Sequence, residues 1–153
     1  KLVQVGKPSE IYNKPTNVFV ATFVGIPPMN IIPAEYDGVN TIIIGDARIK
    51  LRKELRAEKK IFVGIRPQSL DITDIDTGLR GKVISFEYLG DNSIIHIDLV
   101  GVDIQVMKSI RESQNYSVGE IVNLRPMGKI YVFNESSKEI IDVLEQEDYS
   151  LQR

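Results

Sequence analysis

One side chain in this 153-residue chain invites a search for acid–base or metal chemistry. The single histidine, His96, lies between Ile95 and Ile97 in a run that alternates as a β-strand does. A metal site or a histidine-based acid–base pair would need partners from elsewhere in the chain. We therefore expect a half-exposed histidine on a sheet face that it shares with Ile94 and Asp98.

Other catalytic or cofactor-binding patterns are missing from the sequence. Asp71, Asp74 and Asp76 lack the spacing, the glycine and the terminal glutamate of a calcium loop, so we expect solvated loop acids. There is no phosphate-binding loop and no G-x-G-x-x-G, H-E-x-x-H or G-x-S-x-G motif. The absence of cysteine excludes disulfides and thiolate metal sites. The sequence predicts no catalytic, metal or cofactor-binding residue.

The segment 61–70, IFVGIRPQSL, has the strongest local signals. A proline removes a ladder donor and favours extended backbone before it, so Pro67 predicts a strand end near Arg66. Gly64 inside the strand indicates a bulge or a close backbone approach. Two interpretations of Arg66 follow: a solvated arginine beside an ordinary turn that Gln68 continues, or a fixed contact point with a fork-shaped donor.

Composition limits the classes of partner. A net charge of -2 argues against a nucleic-acid binder with a basic face. Aromatic and basic residues could form a stacking platform for single strands, but Glu87, Asp91 and Asp98 are interleaved with them; the set is Phe86, Tyr88, Arg125, Lys129 and Tyr131. No apolar run approaches the ~20 residues of a membrane span. The chain begins with Lys1 and its methionines are internal, so we expect a fragment.

The first 28 residues have helical signals. Pro8 opens a short helical turn that must end before Pro15. A second helix is predicted over 17–24, with Asn17 or Thr16 as N-cap and Gly25 as the stop. The apolar stripe of this helix predicts a core-facing side; its members are Val18, Phe19 and Phe23.

After Met29 the pattern changes to short strands separated by turn residues. Strands are predicted at 31–36, 41–44, 47–51, 61–66, 81–88, 93–99, 102–107, 120–125 and 130–133. Two hairpins are clear, one turning at Gly45-Asp46 and one near Val100-Gly101. Many short strands at regular spacing indicate a small barrel or sandwich. After Ile141 we expect a short helix that frays into a tail.

Several stretches, in order, resemble one family. They are VGKPSEIY (5–12), PTNVFVA (15–21), FVG (23–25), MN (29–30), GIRPQ (64–68), FEYLGD (86–91) with the strand 93–99, and VGEIV (118–122) with YVFN (131–134). Together they resemble the C-terminal part of the ATP-binding subunits of ABC importers for maltose, related sugars and glycerol phosphate. GIRPQ is similar to that family's G-I-R-P-E segment, and the later stretches resemble its TOBE-type regulatory module.

The resemblance implies a fold and a division of the chain. The expected fold is mostly β, with OB-like small barrel lobes of interleaved antiparallel strands preceded by two short helices. Residues 1–28 would be the helical end of an ATPase domain, 29–147 a TOBE/OB-like regulatory domain of two lobes, and 148–153 a tail. The chain would be a non-catalytic regulatory and dimerisation domain without a cofactor, while ATP and Mg would belong to the missing upstream domain.

The resemblance also implies partners and a location. A second copy or a paralogous subunit would bind through the β-lobes, permease subunits through the parent protein, and in some members a regulatory protein; nucleic acid is not expected. The location would be cytoplasmic, at the inner face of the cell membrane as part of a transporter complex. The candidate interface and regulatory residues are Gly64, Arg66, Pro67, Gln68 and Gly90.

Departures and alternatives remain. Gln68 stands where the family has glutamate, which would replace a salt bridge by a neutral hydrogen bond. Arg66→Ala is expected to weaken self-association or subunit communication and to leave the fold intact. The first alternative is an oxyanion-binding module for molybdate or tungstate, for which Ser109 and Ser113 are the hints. The second is a single-strand nucleic-acid-binding OB fold.

Overall fold

The chain folds mostly as β-structure, as predicted. A computed structural model describes residues 6–23, 25 and 27–152. Within these residues none of the helices is both long and apolar enough to cross a membrane. The helices are α1 (Pro8–Asn13), α2 (Val18–Phe23) and α3 (Ile110–Ser113), with 3-10 turns at Pro67–Ser69 and Gln146–Asp148. The strands are β1 (Asn30–Tyr36), β2 (Thr41–Ile44), β3 (Ala47–Leu51), β4 (Lys60–Ile65), β5 (Leu70–Thr73), β6 (Arg80–Leu89), β7 (Asn92–Leu99), β8 (Val102–Ser109), β9 (Ile121–Pro126), β10 (Ile130–Asn134), β11 (Ile140–Leu144) and β12 (Tyr149–Gln152).

The strands form two antiparallel sheets around a shared core. The first sheet has the order β11-β10-β4-β1-β2-β3-β12, and the second has the order β5-β9-β6-β7-β8. The chain therefore builds most of the first sheet, crosses into the second with β5–β9, and returns with β10–β12. One cluster of buried apolar side chains contains residues of both sheets, among them Ile44, Ile97 and Val132. This cluster holds the sheets together.

Both predicted hairpins are confirmed. β2 and β3 pair around Gly45, which has a φ of 55° that glycine adopts easily. β7 and β8 pair along their whole length around Val100 and Gly101. Val100 has a φ of 47°, which is strained for a β-branched side chain. In β3 the burial alternates residue by residue, as the sequence pattern predicts for a strand with one wet face.

The prediction of a helix and tail after Ile141 is wrong. Residues Ile140–Leu144 form β11 beside β10, and Tyr149–Gln152 form β12 beside β3, where Tyr149 is opposite Leu51. β5 was not predicted either, and it pairs with β9. These short segments are strands because distant strands offer them a backbone partner, and such tertiary pairing overrides a weak local pattern.

Helix α2 begins as predicted but buries a different face. The Val20 backbone N–H donates to Asn17 Oδ1 at 2.9 Å, so Asn17 is the N-cap. Ala21 is fully buried against Tyr131 and Phe133, with Val18 partly buried beside it. Phe19 is 63% exposed, so the prediction that it faces the core is wrong. The Phe23 side chain and Val24 lie outside the described residues.

Candidate functional site

The GIRPQ segment begins in the last two residues of strand β4, inside the first sheet, and continues into the 3-10 turn that follows. Gly64 is opposite Ile31 of β1 and Tyr131 of β10, and neither pairing shows a register shift. A Cβ on Gly64 would lie 2.5 Å from Met29 Sδ and 3.0 Å from Phe133 Cε1. The glycine therefore marks a close packing contact, which is one of the two predicted possibilities, and the other, a bulge, is not seen.

Arg66 is buried at the end of this strand. Its side chain is only 4% exposed, its backbone is extended, and Pro67 starts the 3-10 turn that follows. Arg66 Nη2 donates to the Tyr12 carbonyl oxygen at 2.7 Å, and the guanidinium carbon lies 3.7 Å from the centre of the Tyr12 ring. The solvated interpretation of Arg66 is wrong. The residue is a fixed contact point, and this partner belongs to the same chain.

Further contacts surround this pair. Gln68 Nε2 donates to Tyr12 Oη at 3.0 Å, and the Arg66 guanidinium carbon lies 5.8 Å from the centre of the Tyr131 ring. A Cβ on Gly25 would come within 2.9 Å of Arg66 Nη1. We call these five residues the Tyr12 clasp: Tyr12, Gly25, Arg66, Gln68 and Tyr131. The clasp attaches α1 to the end of β4.

Burial and charge have opposite effects on Tyr131 in the clasp. Burial raises the pKa of the Tyr131 hydroxyl above its usual value, although the positive charge of Arg66 opposes this. The phenol therefore stays neutral at physiological pH. A neutral, buried aromatic ring beside a guanidinium is a suitable surface for a cation–π contact.

The structure brings together four of the five predicted site residues. Gly64, Arg66, Pro67 and Gln68 lie close together at the end of β4 and in the 3-10 turn after it, where Pro67 is buried and Gln68 is exposed. Gly90 lies apart from them in the turn between β6 and β7 of the second sheet. It is exposed, has a φ of 60°, and a Cβ there would meet nothing within 4 Å. Gly90 is not part of the clasp.

His96 is a partly exposed sheet residue, as predicted. Nε2 lies 3.1 Å from Glu87 Oε1 and Nδ1 lies 3.3 Å from Asp103 Oδ1, so the two carboxylates contact opposite sides of the ring. This arrangement cannot place both carboxylates and one ring nitrogen around a single ion. Across the described part of the chain, no group of three or more His, Cys, Asp or Glu residues is placed to hold a metal.

The prediction that Asp71 is a solvated loop acid is wrong. It lies in β5, accepts a hydrogen bond from Lys108 Nζ of β8, and has Arg125 Nη2 at 3.9 Å. Partial burial by itself would raise the pKa of Asp71. The hydrogen bond and charge of Lys108, the Ile72 backbone N–H and Arg125 outweigh it and lower the pKa below its usual value. This ion pair connects the two outer strands of the second sheet.

Asn30 is a structural residue for which the residue patterns gave no signal of their own. Its side chain is 6% exposed. Asn30 Nδ2 donates to the Gln105 carbonyl oxygen at 2.8 Å, and the Gln105 N–H donates to Asn30 Oδ1 at 2.7 Å. The carboxamide thus satisfies both backbone groups of Gln105, as a neighbouring strand would, and it joins β1 of one sheet to β8 of the other.

The features that hinted at other ligands serve local structure. Ser109 Oγ accepts from the Glu112 N–H at 3.1 Å, and Ser113 Oγ donates to the Ile110 carbonyl at 2.7 Å. Both serines thus stabilise α3. Of the proposed stacking platform, Tyr131 is buried in the first sheet, whereas Tyr88 is exposed in the second. These aromatic residues do not share a surface.

Two family models match overlapping parts of the chain. The MalK OB fold domain matches residues 25–70, and the TOBE domain matches residues 63–133. Together they cover the four strands β1–β4 and continue through β10. The chain belongs to the TOBE and MalK OB-fold domain families. The resemblance and the OB-like fold predicted from the sequence are confirmed.

Relatives of this TOBE and OB-fold chain are ATP-binding proteins. The trehalose/maltose import ATP-binding protein MalK of Thermococcus litoralis is 32% identical over 92% of this chain and 41% of that protein. An sn-glycerol-3-phosphate import ATP-binding protein, UgpC 2 of Agrobacterium fabrum, is 31% identical over 84% of this chain and 33% of that protein. The maltose/maltodextrin import ATP-binding protein MalK of Escherichia coli O6:H1 is 31% identical over 80% of this chain and 34% of that protein. The chain thus spans less than half the length of each.

A solved structure of the cytoplasmic molybdate-binding protein ModG with molybdate bound is a more distant match. It has 10% sequence identity and a TM-score of 0.45, and the match covers 80% of this chain and 94% of the ModG chain. At this degree of similarity it supports no conclusion about a ligand.

The TOBE and OB-fold matches overlap at the predicted site. Residues 63–70 belong to both, and this overlap contains Gly64, Arg66, Pro67 and Gln68. Tyr12 lies N-terminal to both matches, 54 residues before Arg66. The clasp therefore holds the helical segment at the point where the two family domains meet.

Proposed function

We propose that this chain is the non-catalytic regulatory and dimerisation part of the ATP-binding subunit of an ABC importer for sugars or related solutes. The observation that carries the proposal is the alignment with import ATP-binding proteins over 92% and 84% of the chain. The family's ATPase domain would lie upstream and would bind ATP and Mg. The parent protein would act in the cytoplasm at the inner face of the membrane, with permease subunits as partners and a regulatory protein in some members.

The clasp supports a mechanical role within that proposal. α1 and α2 correspond to the stretches that resemble the end of the ATPase domain, and Arg66 attaches Tyr12 of α1 to β4. A second attachment is made in α2, where the Val18 N–H donates to the Lys138 carbonyl oxygen at 2.9 Å. Movement of the upstream domain would therefore be transmitted to the sheets by packed, hydrogen-bonded elements.

Dimerisation by the β-structure has a physical advantage for such a transporter. If two subunits are held together by one permanent contact, each later closure of the ATPase domains becomes effectively intramolecular. The closing interface can then be weak and reversible. Arg66 is buried within the chain and would influence regulation through the clasp, and Pro67 is buried next to it, whereas the exposed Gly90 is available to a partner.

The test is the mass of the chain in solution, together with its ligands. Sedimentation equilibrium of the 153-residue protein should show a reversible dimer, and the chain should not hydrolyse ATP with magnesium. Tight binding of molybdate or tungstate in calorimetry would favour the oxyanion alternative and contradict the proposal. Affinity for single-stranded nucleic acid that falls steeply with salt would favour the second alternative.

A further inference from the structure

His96 joins three neighbouring strands of the second sheet. It lies on β7, where Ser85 of β6 and Gln105 of β8 are its direct partners in the register. Its ring nitrogens instead contact carboxylates two residues further along each neighbouring strand, Glu87 Oε1 at 3.1 Å and Asp103 Oδ1 at 3.3 Å. We call Glu87, His96 and Asp103 the His96 bridge. It connects β6, β7 and β8 through side chains, in addition to the backbone ladders.

The number of protons on the ring decides whether the bridge is complete. A protonated imidazole has two N–H groups and can donate to both carboxylates, whereas a neutral imidazole has only one N–H. The second nitrogen of a neutral ring would present its lone pair to a carboxylate, which is repulsive. The Glu87 and Asp103 side chains are 56% and 69% exposed, so the carboxylate without a donor can turn into water. The complete bridge therefore requires the charged ring.

His96 shares its face of the sheet with three carboxylates and one ammonium group. Asp98 of β7 lies two residues from His96, and its partners in the register are Lys82 of β6 and Asp103 of β8. His96, Asp98 and Asp103 line one shallow depression, and Glu87 contacts the ring from β6. Carboxylates and ammonium groups normally keep their charge between about pH 5 and 8, whereas imidazole changes its charge there. A change of pH in this range therefore acts on this face through the ring.

The bridge acts on a part of β6 that is paired on one side. β6 pairs with β7 along nearly its whole length, but it pairs with β9 only at residues 80–82. Val83 still exchanges backbone hydrogen bonds with Gly119 and Glu120 on that side. Within the described part of the chain, residues 85–89 then have β7 as their only strand neighbour. A segment held from one side opens locally more easily than a central strand.

We propose that protonation of His96 fastens residues 85–89 of β6 to β7 and β8, and that loss of the proton releases them. With the charged ring, Glu87 is connected through His96 to Asp103 of β8, so the segment has a second attachment. With the neutral ring one carboxylate leaves, and the backbone ladder with β7 holds the segment alone. The turn that contains Gly90 directly follows this segment. The device operates within one chain and does not depend on dimerisation or transport.

Amide hydrogen exchange tests the release. Because His96 is the only histidine of the chain, its ring signals in NMR spectra report its charge directly. Protection factors, corrected for the intrinsic effect of pH on exchange, are measured on either side of the titration of these signals. In the wild type those of residues 85–89 should fall by about fivefold at the higher pH, the size expected when an exposed ion pair is lost. Those of the β2–β3 hairpin should not change.

Two substitutions separate the bridge from a general effect of pH. His96→Gln removes the titrating ring, so the protection of residues 85–89 should no longer depend on pH. Asp103→Asn lets a neutral ring keep both partners, because the ring can donate to Glu87 and accept from the new carboxamide. At the higher pH this variant should therefore protect residues 85–89 about fivefold better than the wild type does.

Asp98→Asn is the matched control for Asp103→Asn. It removes the same charge from the same face of the sheet, but Asp98 does not contact the ring nitrogens. Asp98 Oδ1 accepts from the Gly101 N–H at 2.9 Å, and the oxygen of a carboxamide can keep that bond. The control should respond to pH as the wild type does. Thermal unfolding should show that all three variants fold.

Three results would overturn the bridge. The first is equal protection of residues 85–89 on both sides of the titration, or a ring that does not titrate. The second is a pH dependence that persists in His96→Gln, since another group would then cause it. The third is Asp103→Asn that responds to pH as Asp98→Asn does, because the ring would then not act through Asp103.

Discussion

The guanidinium carbon of Arg66 lies 3.7 Å from the centre of the Tyr12 ring, although 54 positions separate the two residues in the chain. Arg66 Nη2 also donates to the Tyr12 carbonyl at 2.7 Å, so one side chain contacts both the ring and the backbone of α1. A buried arginine needs such partners, because an unpaired buried charge is costly. The Tyr12 clasp is therefore expected to contribute to stability as well as to position α1.

Arg66→Ala should destabilise the fold by about 2–4 kcal/mol. It removes a charged hydrogen bond and a desolvated cation–π contact, each worth roughly 1–3 kcal/mol. Urea unfolding measures the loss, and amide hydrogen exchange should show faster exchange in α1. Arg66→Lys should lie between the wild type and Arg66→Ala, because an ammonium group keeps the charge but not the planar fork.

The exposed Arg48 of β3 gives a matched control for this substitution. Arg48→Ala should change the unfolding free energy by no more than about 0.5 kcal/mol. If Arg66→Ala were equally neutral, the clasp would not be a stabilising element.

Gly64→Ala should destabilise the chain by about 1–3 kcal/mol through overpacking. The new methyl group would lie 2.5 Å from Met29 Sδ and 3.0 Å from the fully buried Phe133 ring. Met29 is flexible and can move, but the ring has little freedom. A double-mutant cycle with Met29→Ala checks the mechanism, because the smaller residue provides space for the added methyl.

The cycle predicts that Met29→Ala costs less in the Gly64→Ala background than in the wild type. Alone, the truncation leaves a cavity and should cost about 2–5 kcal/mol. Additive free energies of unfolding in urea would contradict the packing contact between these two positions.

Asp71→Asn should reduce stability near neutral pH by about 1 kcal/mol, and the difference from wild type should disappear in acid. The pKa of Asp71 is lower in the folded chain than in the unfolded chain, so the unfolded chain binds more protons as the pH falls. The ion pair with Lys108 thus contributes fully above the unfolded pKa of about 3.9, and its contribution is lost as the pH falls through the folded pKa.

Urea unfolding at a series of pH values between about 2 and 7 measures this convergence. Asp74→Asn, at an exposed position just after β5, is the control and should follow the wild type. Parallel curves for Asp71→Asn and the wild type across the whole range would contradict the role of the carboxylate.

The sequence predicted well what depends on local pattern. Alternation and turn residues located nine strands, because burial of one face of a strand imposes a two-residue period. Pro67 marked the end of β4, because a proline has no backbone N–H to donate to the neighbouring strand. The family resemblance named the segment that carries Arg66.

The missed features depend on partners that lie far away in the sequence. Tyr12 is 54 residues from Arg66, and Asn30 is 75 residues from Gln105. β12 is a strand because β3 offers it an edge, and no local period marks it. Phe19 is exposed since tertiary packing selects which face of α2 is buried, and propensity alone does not.

Asn30→Asp should be strongly destabilising at neutral pH and less so in acid. Asn30 Oδ1 accepts from the Gln105 N–H, and a carboxylate can keep that bond, but it cannot donate to the Gln105 carbonyl oxygen, which now receives Nδ2. A buried carboxylate beside a carbonyl oxygen should cost more than about 3 kcal/mol. Protonation restores a donor, so the pKa of the new carboxyl is raised in the folded chain. The loss of stability caused by Asn30→Asp should therefore shrink as the pH falls toward the pKa of the same carboxyl in the unfolded chain.

Asn30→Ala is the control. It also loses both hydrogen bonds but introduces no titrating group, so the stability that it loses should stay constant with pH. A pH-independent penalty for Asn30→Asp in urea unfolding would show that the carboxamide does not bridge β1 and β8.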